Sequence, residues 1–447
     1  MLAMAAPAEA MSVKDAVQRA VATHPSVDAL RAGRRAAGWE VKAAQSRFLP
    51  SLDVDGDVGA QYVDKPNSLS RDTNAEWRAR RQITGSVTQV LFNGFERANN
   101  VYRQAARFDA ASFRVMEQAE ALGLDAVEAY IDVHRHMEIL AVAQRNRARM
   151  QQISGLVQDL LSGGRVPQSD VDQTIERLAA ADAVIAQIRQ ALEEATAKFR
   201  QVVGTDPSGL AAVPMPPGLP ASRQAAIQVA VDQHPRLQAA HADARAAEFA
   251  RQQVTGEHLP TISLQGSATY GQDLEGIPGR NVDVTGKVVL TWNLYNGFGT
   301  TYRTNALSEQ FYRAQFEQQA AARAVQESVE RAFAAYRMGG ERVAATRKQV
   351  EANQRLARQY EDEYKVGRRS LLDLLDAENA AFSSRFQLAS VSAVQVFAAY
   401  QLLATMGRLL ATLGVLAPPE ARGGLLEETH LGPLGLGLGL ELEPLRK

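Results

Sequence analysis

The sequence predicts a duplicated membrane α+β chain: two tandem repeats, each a broken helix, a β-hairpin, a long helix and a shorter returning helix. Three observations carry this. The pentapeptide Leu91-Phe92-Asn93-Gly94-Phe95 returns as Leu294-Tyr295-Asn296-Gly297-Phe298. Each copy closes an apolar/polar alternation and opens a run of helical period, so the chain changes period twice in the same way. His24-Pro25 and Leu49-Pro50 also return, 210 residues later, as His234-Pro235 and Leu259-Pro260.

The first ten residues end in Ala8-Glu9-Ala10, a small-x-small cleavage pattern, so residues 1–11 read as the remnant of a signal peptide. The first repeat spans 12–203. From Ser12 to Phe48 apolar residues recur at three- and four-residue steps (Val13, Val17, Val21, Val27, Leu30), broken at His24-Pro25 because proline cannot sit inside a helix. Residues 51–63 alternate, with Leu52, Val54, Val58 and Tyr62 opposite Asp53, Asp55, Asp57 and Gln61. A polar loop over 64–80 leads to a second strand at about 82–92. No proline occurs from Phe95 to Leu161, which predicts a rod on the order of 100 Å long. A turn at 162–167 leads to a shorter helix over 168–203.

Residues 204–222, rich in proline, form a linker, and the second repeat runs over 223–415. Its strands fall at about 261–271 and 282–294 and its helices at about 299–364 and 371–415. The tail, 416–447, decays into Pro, Gly and Leu, a composition expected to be loosely attached.

Composition narrows the function. Aromatics are 6%, and Lys+Arg 49 against Asp+Glu 50 gives no electrostatic case for nucleic acid. Cysteine is absent, which excludes disulfides, thiolate zinc and a lipidated N-terminal Cys. There is no P-loop, no nucleophile elbow and no carboxylate pair spaced for hydrolysis, so no enzyme and no cofactor is expected. His134 and His136 point to different helix faces, which disfavours a metal site. No window reaches the ~18 apolar residues of a membrane helix, so a membrane crossing would use the strands. Strands of ten to thirteen residues suit a tilted crossing, which takes about 9–11. Four strands cannot close a barrel, and lipid tolerates no open strand edge, so several copies must pool their strands. Three copies would supply twelve. A soluble coiled-coil scaffold is the alternative, weakened by the apolar strand faces it would leave in water.

Over 12–415 this order of elements resembles the TolC family of outer-membrane channels. The resemblance rests on the Pro-terminated first helices, the strand pairs, the aromatic-Asn-Gly-Phe closures and the mid-chain linker. It rests also on two turn motifs, 164–171 (GRVPQSDV) and 364–377 (YKVGRRSLLDLLDA). It implies a homotrimer with a twelve-stranded barrel in the outer membrane and a long α-helical coiled-coil tunnel in the periplasm. The implied partners are a periplasmic adaptor and an inner-membrane ABC transporter exporting a protein such as an adhesin. A proton-driven drug pump with drug cargo is the second possibility. The first strands and Leu91 to Asn99 look most similar to the type I secretion members, and the absence of Cys argues against the lipid-anchored efflux branch.

Asp373 and Asp376 lie three apart at a helix start, on one face of its first turn. They read either as acids complementing the helix dipole, with Asp373 as a cap, or as a constriction. The resemblance favours the constriction, a pair of stacked carboxylate rings in the trimer. It also makes Tyr364 and Arg369 latch residues holding the tip shut, with Asp170 and Ser169 as partners. Gly164 and Gly367 are the turn glycines expected at positive φ. Phe92, Phe95, Tyr295 and Phe298 are placed at the periplasmic membrane interface.

Overall fold

A computed structural model describes residues 11–64 and 76–430. The signal-peptide stretch through Ala10, part of the first hairpin loop and the Gly/Leu run from 431 lie outside the described residues. Ser12 opens α1 (Val13–Thr23) with a capping box: its Oγ accepts the Asp15 N–H at 3.2 Å, and Asp15 Oδ2 accepts the Ser12 N–H at 3.1 Å. α2 (Pro25–Ser46) starts at the proline. Between them His24 is extended (φ −76°, ψ 130°), as a residue before proline must be, and its Nδ1 accepts the Ser26 N–H at 3.2 Å. The second repeat does the same between α5 (Arg223–Gln233) and α6 (Pro235–Thr255), where His234 Nδ1 accepts the Arg236 N–H at 3.1 Å. The His-Pro pair is thus a helix stop joined to a helix start, the imidazole satisfying one of the amides that the second helix leaves free.

The strands are β1 (Ser51–Val63), β2 (Glu76–Asn93), β3 (Thr261–Gln272) and β4 (Arg280–Thr291). They form one antiparallel sheet in the order β1-β2-β3-β4. Ser51 faces Thr88 in the first hairpin and Thr261 faces Thr291 in the second, so both hairpins share one register. One face carries Leu52, Val54, Val58, Ile83, Val87, Tyr270, Val284 and Leu290, uncovered: Val58 is 78% exposed and Val284 77%. The long helices are α3 (Glu96–Ser162), α4 (Gln168–Val203), α7 (Gly299–Lys365) and α8 (Leu371–Thr405), with short α9 (Leu409–Leu413) and α10 (Leu425–Glu428) after them.

Four expectations need correction. β2 begins at Glu76, inside the stretch read as loop, because Trp77 and Tyr62 pair across the strands with ring centroids 5.6 Å apart. β4 ends at Thr291 rather than Leu294. The tail is not loose over 416–430: the Leu416 N–H reaches Gln18 at 3.0 Å, and buried Asp109 accepts the amides of Gly424, Leu425 and Leu426 at 2.8–3.0 Å. Finally, α8 is long and apolar enough to cross a membrane by length and composition. Part of its apolar surface is taken up by helix packing, with Leu374, Leu375, Ala381, Leu402 and Leu403 buried, while Leu372 and Val394 stay exposed.

The described residues fall in two compact units. One lies within Met1–Arg31, Phe113–Gln238 and Ala320–Ala421, the other within Ala32–Ser112, Ala239–Gln319 and Arg422–Lys447. Each draws on both repeats, so the repeats are units of sequence and not of packing. In the first unit the main core gathers Val17, Val21, Tyr130, Phe199, Tyr400, Leu403 and Leu410. Tyr130 Oη lies 2.7 and 2.8 Å from the carbonyls of Met11 and Ala211, and Tyr400 Oη donates to Pro214 O at 3.0 Å. These hydroxyls tie the proline-rich linker to the core. The second unit holds the sheet and a small cluster of Ala44, Phe48, Ala98 and Val101.

Candidate functional site

Two helix pairs turn through the same device. Gly164, at φ 68°, follows α3; its N–H donates to Leu161 O at 2.8 Å and the Arg165 N–H to Leu160 O at 3.0 Å. Gly367, at φ 74°, follows α7; its N–H donates to Tyr364 O and the Arg368 N–H to Glu363 O, both at 2.9 Å. Each is a Schellman closure, which needs a left-handed residue and so a glycine. Met150, Ile153, Val157, Val171, Tyr364, Leu371, Leu374 and Leu375 pack beneath the turns.

Ser370 caps α8: its Oγ accepts the Asp373 N–H at 3.2 Å, and Asp373 Oδ2 takes the Ser370 hydroxyl at 2.7 Å. The Ser370 hydroxyl, then its N–H, holds the Asp373 carboxyl below its ordinary value. Asp376, one turn on, is exposed and stands 3.9 Å from Arg177. The two aspartates share the first turns of α8, but Asp373 is bound into its own cap.

The latch pairing differs from expectation within one protomer. Arg369 bonds Glu363 at 2.9 Å and lies 4.1 Å over the Tyr360 ring, not on Ser169, which is exposed. The six-residue separation across the α7–α8 turn brings Glu363 closer than the first repeat's turn. Tyr364 is 6% exposed, and its Oη has no hydrogen-bond partner among the described residues. Burial, then the charge of Asp170, raises its pKa. Tyr364, Asp170, Arg165, Lys365 and Arg369 line one cavity of about 370 Å³.

A charged network joining three helices near this tip is not legible in the sequence. Arg149 of α3 donates from Nε to Glu378 of α8 at 2.7 Å and from Nη2 to Glu361 of α7, which also holds Lys365 at 2.9 Å. Glu378 is buried at an otherwise apolar helix position. Arg149 sits among Arg145 and Arg147, and nothing in the pattern distinguishes it.

At the strand-to-helix junctions positive φ falls on Gly94-Phe95 (63° and 64°) and Gly297-Phe298 (68° and 63°), not on the asparagines. The asparagines work through their side chains instead: Asn93 Nδ2 reaches Glu96 at 3.3 Å and Asn296 Nδ2 reaches Thr300 at 2.7 Å. Phe92 and Phe95 meet edge to face at 5.5 Å, as do Tyr295 and Phe298. Aromatic contact offsets part of the strain of a left-handed Phe. A Cβ on Gly94 would stand 2.1 Å from Gly256 O, whereas one on Gly297 meets nothing within 4 Å.

A sheet with an uncovered apolar face, continuous with rods of 67 residues, defines the class of outer-membrane channel-tunnels. The outer membrane efflux protein model matches residues 16–205 and 226–408, and the chain belongs to that family. It is 27% identical over 404 residues to the outer membrane efflux protein BepC of Brucella suis, covering 89% of this chain and 85% of that one. It is 24% identical over 402 residues to TolC of Escherichia coli, covering 86% and 79%. The solved structure of CusC superposes with a TM-score of 0.76 at 15% identity, covering 90% and 91%. The fold is that of a trimeric channel: each chain gives four strands to an outer-membrane β-barrel and its helices to a periplasmic tunnel. The family is one of channels, not of enzymes.

Proposed function

We propose that three copies of this chain form the exit duct of a type I secretion system, exporting a protein such as an adhesin. They work with a periplasmic adaptor and an inner-membrane ABC transporter, which supplies the energy. The observation that carries the duct is the sheet, apolar on one uncovered face and lined on the other by Asp53, Asp55, Ser86, Thr88, Ser267 and Thr285. Short hydroxyl and carboxylate side chains keep a lumen wet and wide, which suits an unfolded polypeptide. The likeness of the first strands to secretion members supports the protein cargo. A second reading, efflux of small molecules with a proton-driven pump, is favoured by the name of the relative BepC, an efflux protein.

In either case Asp373 and Asp376 form the constriction at the tip, and Tyr364 and Arg369 hold it closed, with Asp170 and Ser169 as their partners in the assembled trimer. Phe92, Phe95, Tyr295 and Phe298 mark the periplasmic edge of the outer membrane. A deletion strain tests the cargo: loss of a large secreted protein with unchanged drug susceptibility supports secretion. Heightened drug susceptibility with an intact secretome favours efflux.

A further inference from the structure

The two hairpins are alike up to one point, where they part. β2 continues five residues past Thr88, the last residue that β1 pairs, to Asn93. That extension is held by β3 alone: Gln89 faces Leu264, Val90 faces Ser263, Phe92 faces Ile262 and Asn93 faces Thr261. β4 stops at Thr291, the counterpart of Thr88, and residues 292–296 belong to no strand. Yet the sequence alternates through Leu294, and the counterpart side chain is already seated. Gln89 Nε2 donates to Phe48 O at 3.0 Å, and Trp292 Nε1 donates to His258 O at 3.1 Å. What 292–296 lacks is a neighbour in the place that β3 occupies beside β2. In the repeat, β3 is the counterpart of β1, and β1 is the sheet's other free edge.

On the trimeric-barrel reading, we propose that residues 292–296 become strand when β4 pairs with β1 of a second copy, in the register that β2 uses on β3. Carrying that register over by the two repeat offsets sets Asn293 opposite Asp53 of the second copy and Trp292 opposite its Val54. Further up the edge it sets Thr291 opposite Asp55 and Val288 opposite Val58. Leu290 and Trp292 then fall beside the apolar face with Val288, and Lys287 and Asn293 beside the polar face with Thr291, Val289 opposite Asp57 being the exception; a one-residue slip would reverse this. The match ends with the strands: Ser46 stands where the close Gly94–Gly256 approach has a glycine.

The chain has no cysteine, so paired cysteines report the register without background. Full-length Asn293→Cys/Asp53→Cys, assembled in outer-membrane vesicles and oxidised, is expected to give a disulfide-linked trimer as the main species on a denaturing gel. Asn293→Cys with Ser51→Cys or with Asp55→Cys is expected to give at least tenfold less. Preferential bonding at position 51 or 55, or no bonding at any of the three while native mass measurement still finds three copies, overturns the register. A wild-type protein that carries one copy by native mass overturns the barrel reading itself.

Discussion

Glu120 and His234 line one cavity of about 220 Å³, with Glu117, Pro235, Arg236 and Gly407, and their titrations oppose each other. Burial pushes the Glu120 carboxyl from 4.5 up to about 7, although it accepts the Leu409 and Leu410 amides at 3.0 and 3.3 Å. Burial, then the charge of Arg236, lowers the His234 imidazole from 6.5 to about 4. Between 4.5 and about 7, folded Glu120 keeps a proton that the unfolded chain has lost, so its contribution falls as pH rises. Between about 4 and 6.5 the unfolded His234 holds a proton that the folded ring refuses, so its contribution rises with pH. Each amounts to about 3 kcal/mol at most, at ~1.4 kcal/mol per tenfold change in proton affinity, with the partly exposed histidine below that ceiling. Over pH 4.5–6.5 the two nearly cancel. Chemical unfolding followed by ellipticity at 222 nm should therefore be almost flat for the wild type in that window. Glu120→Gln should lose up to about 2 kcal/mol on acidification from pH 6.5 to 4.5, and His234→Asn should gain about 2 kcal/mol. Two variants as flat as the wild type would refute the compensation.

Tyr364→Phe combined with Arg369→Ser removes the Glu363 contact and should raise single-channel conductance in a planar bilayer; unchanged conductance would remove both residues from the gate. Arg149→Ala leaves Glu378 buried without its cation, and a loss of about 2 kcal/mol is expected in chemical unfolding, below the ~3–5 of a fully buried pair because Arg149 keeps some contact with water. Arg149→Lys should lie between, and an Arg149→Ala protein as stable as wild type would make the triad dispensable. Gly94→Ala faces both a left-handed backbone and Gly256 O, whereas Gly297→Ala faces only the backbone term of about 1–2 kcal/mol. The trimer's melting temperature in detergent should fall further for Gly94→Ala, and equal falls would count against the close approach.

The elements that sequence alone made legible are those that local chemistry fixes. Pre-proline sterics stop α1 at His24 and α5 at His234, and the Schellman glycines stop α3 and α7, whatever surrounds them. Strand ends are set by partners instead. β2 starts early because Trp77 finds Tyr62, and β4 ends early because residues 292–296 find no strand partner in their own chain. Alternation states what a segment can pair with, and not whether the partner is present. The same limit hid the anchored tail, since Asp109 lies 315 positions before Gly424 and only folding brings them together.

At the tip, the sequence offered two roles for Asp373, cap or constriction, as though one excluded the other. The geometry removes that opposition. Like charges gathered in a ring repel, and a ring can relieve the repulsion by taking up protons. The Ser370 hydroxyl and amide oppose this by stabilising the ionised carboxylate, which is why its pKa lies below the ordinary value. A capping residue is therefore well suited to keep its charge in a constriction, and the hydrogen bonds that start α8 also keep Asp373 an anion. Asp376 takes no part in that cap and stands 3.9 Å from Arg177. In the proposed constriction, a ring of Asp373 carboxylates should therefore keep its charge below the ordinary carboxylate range.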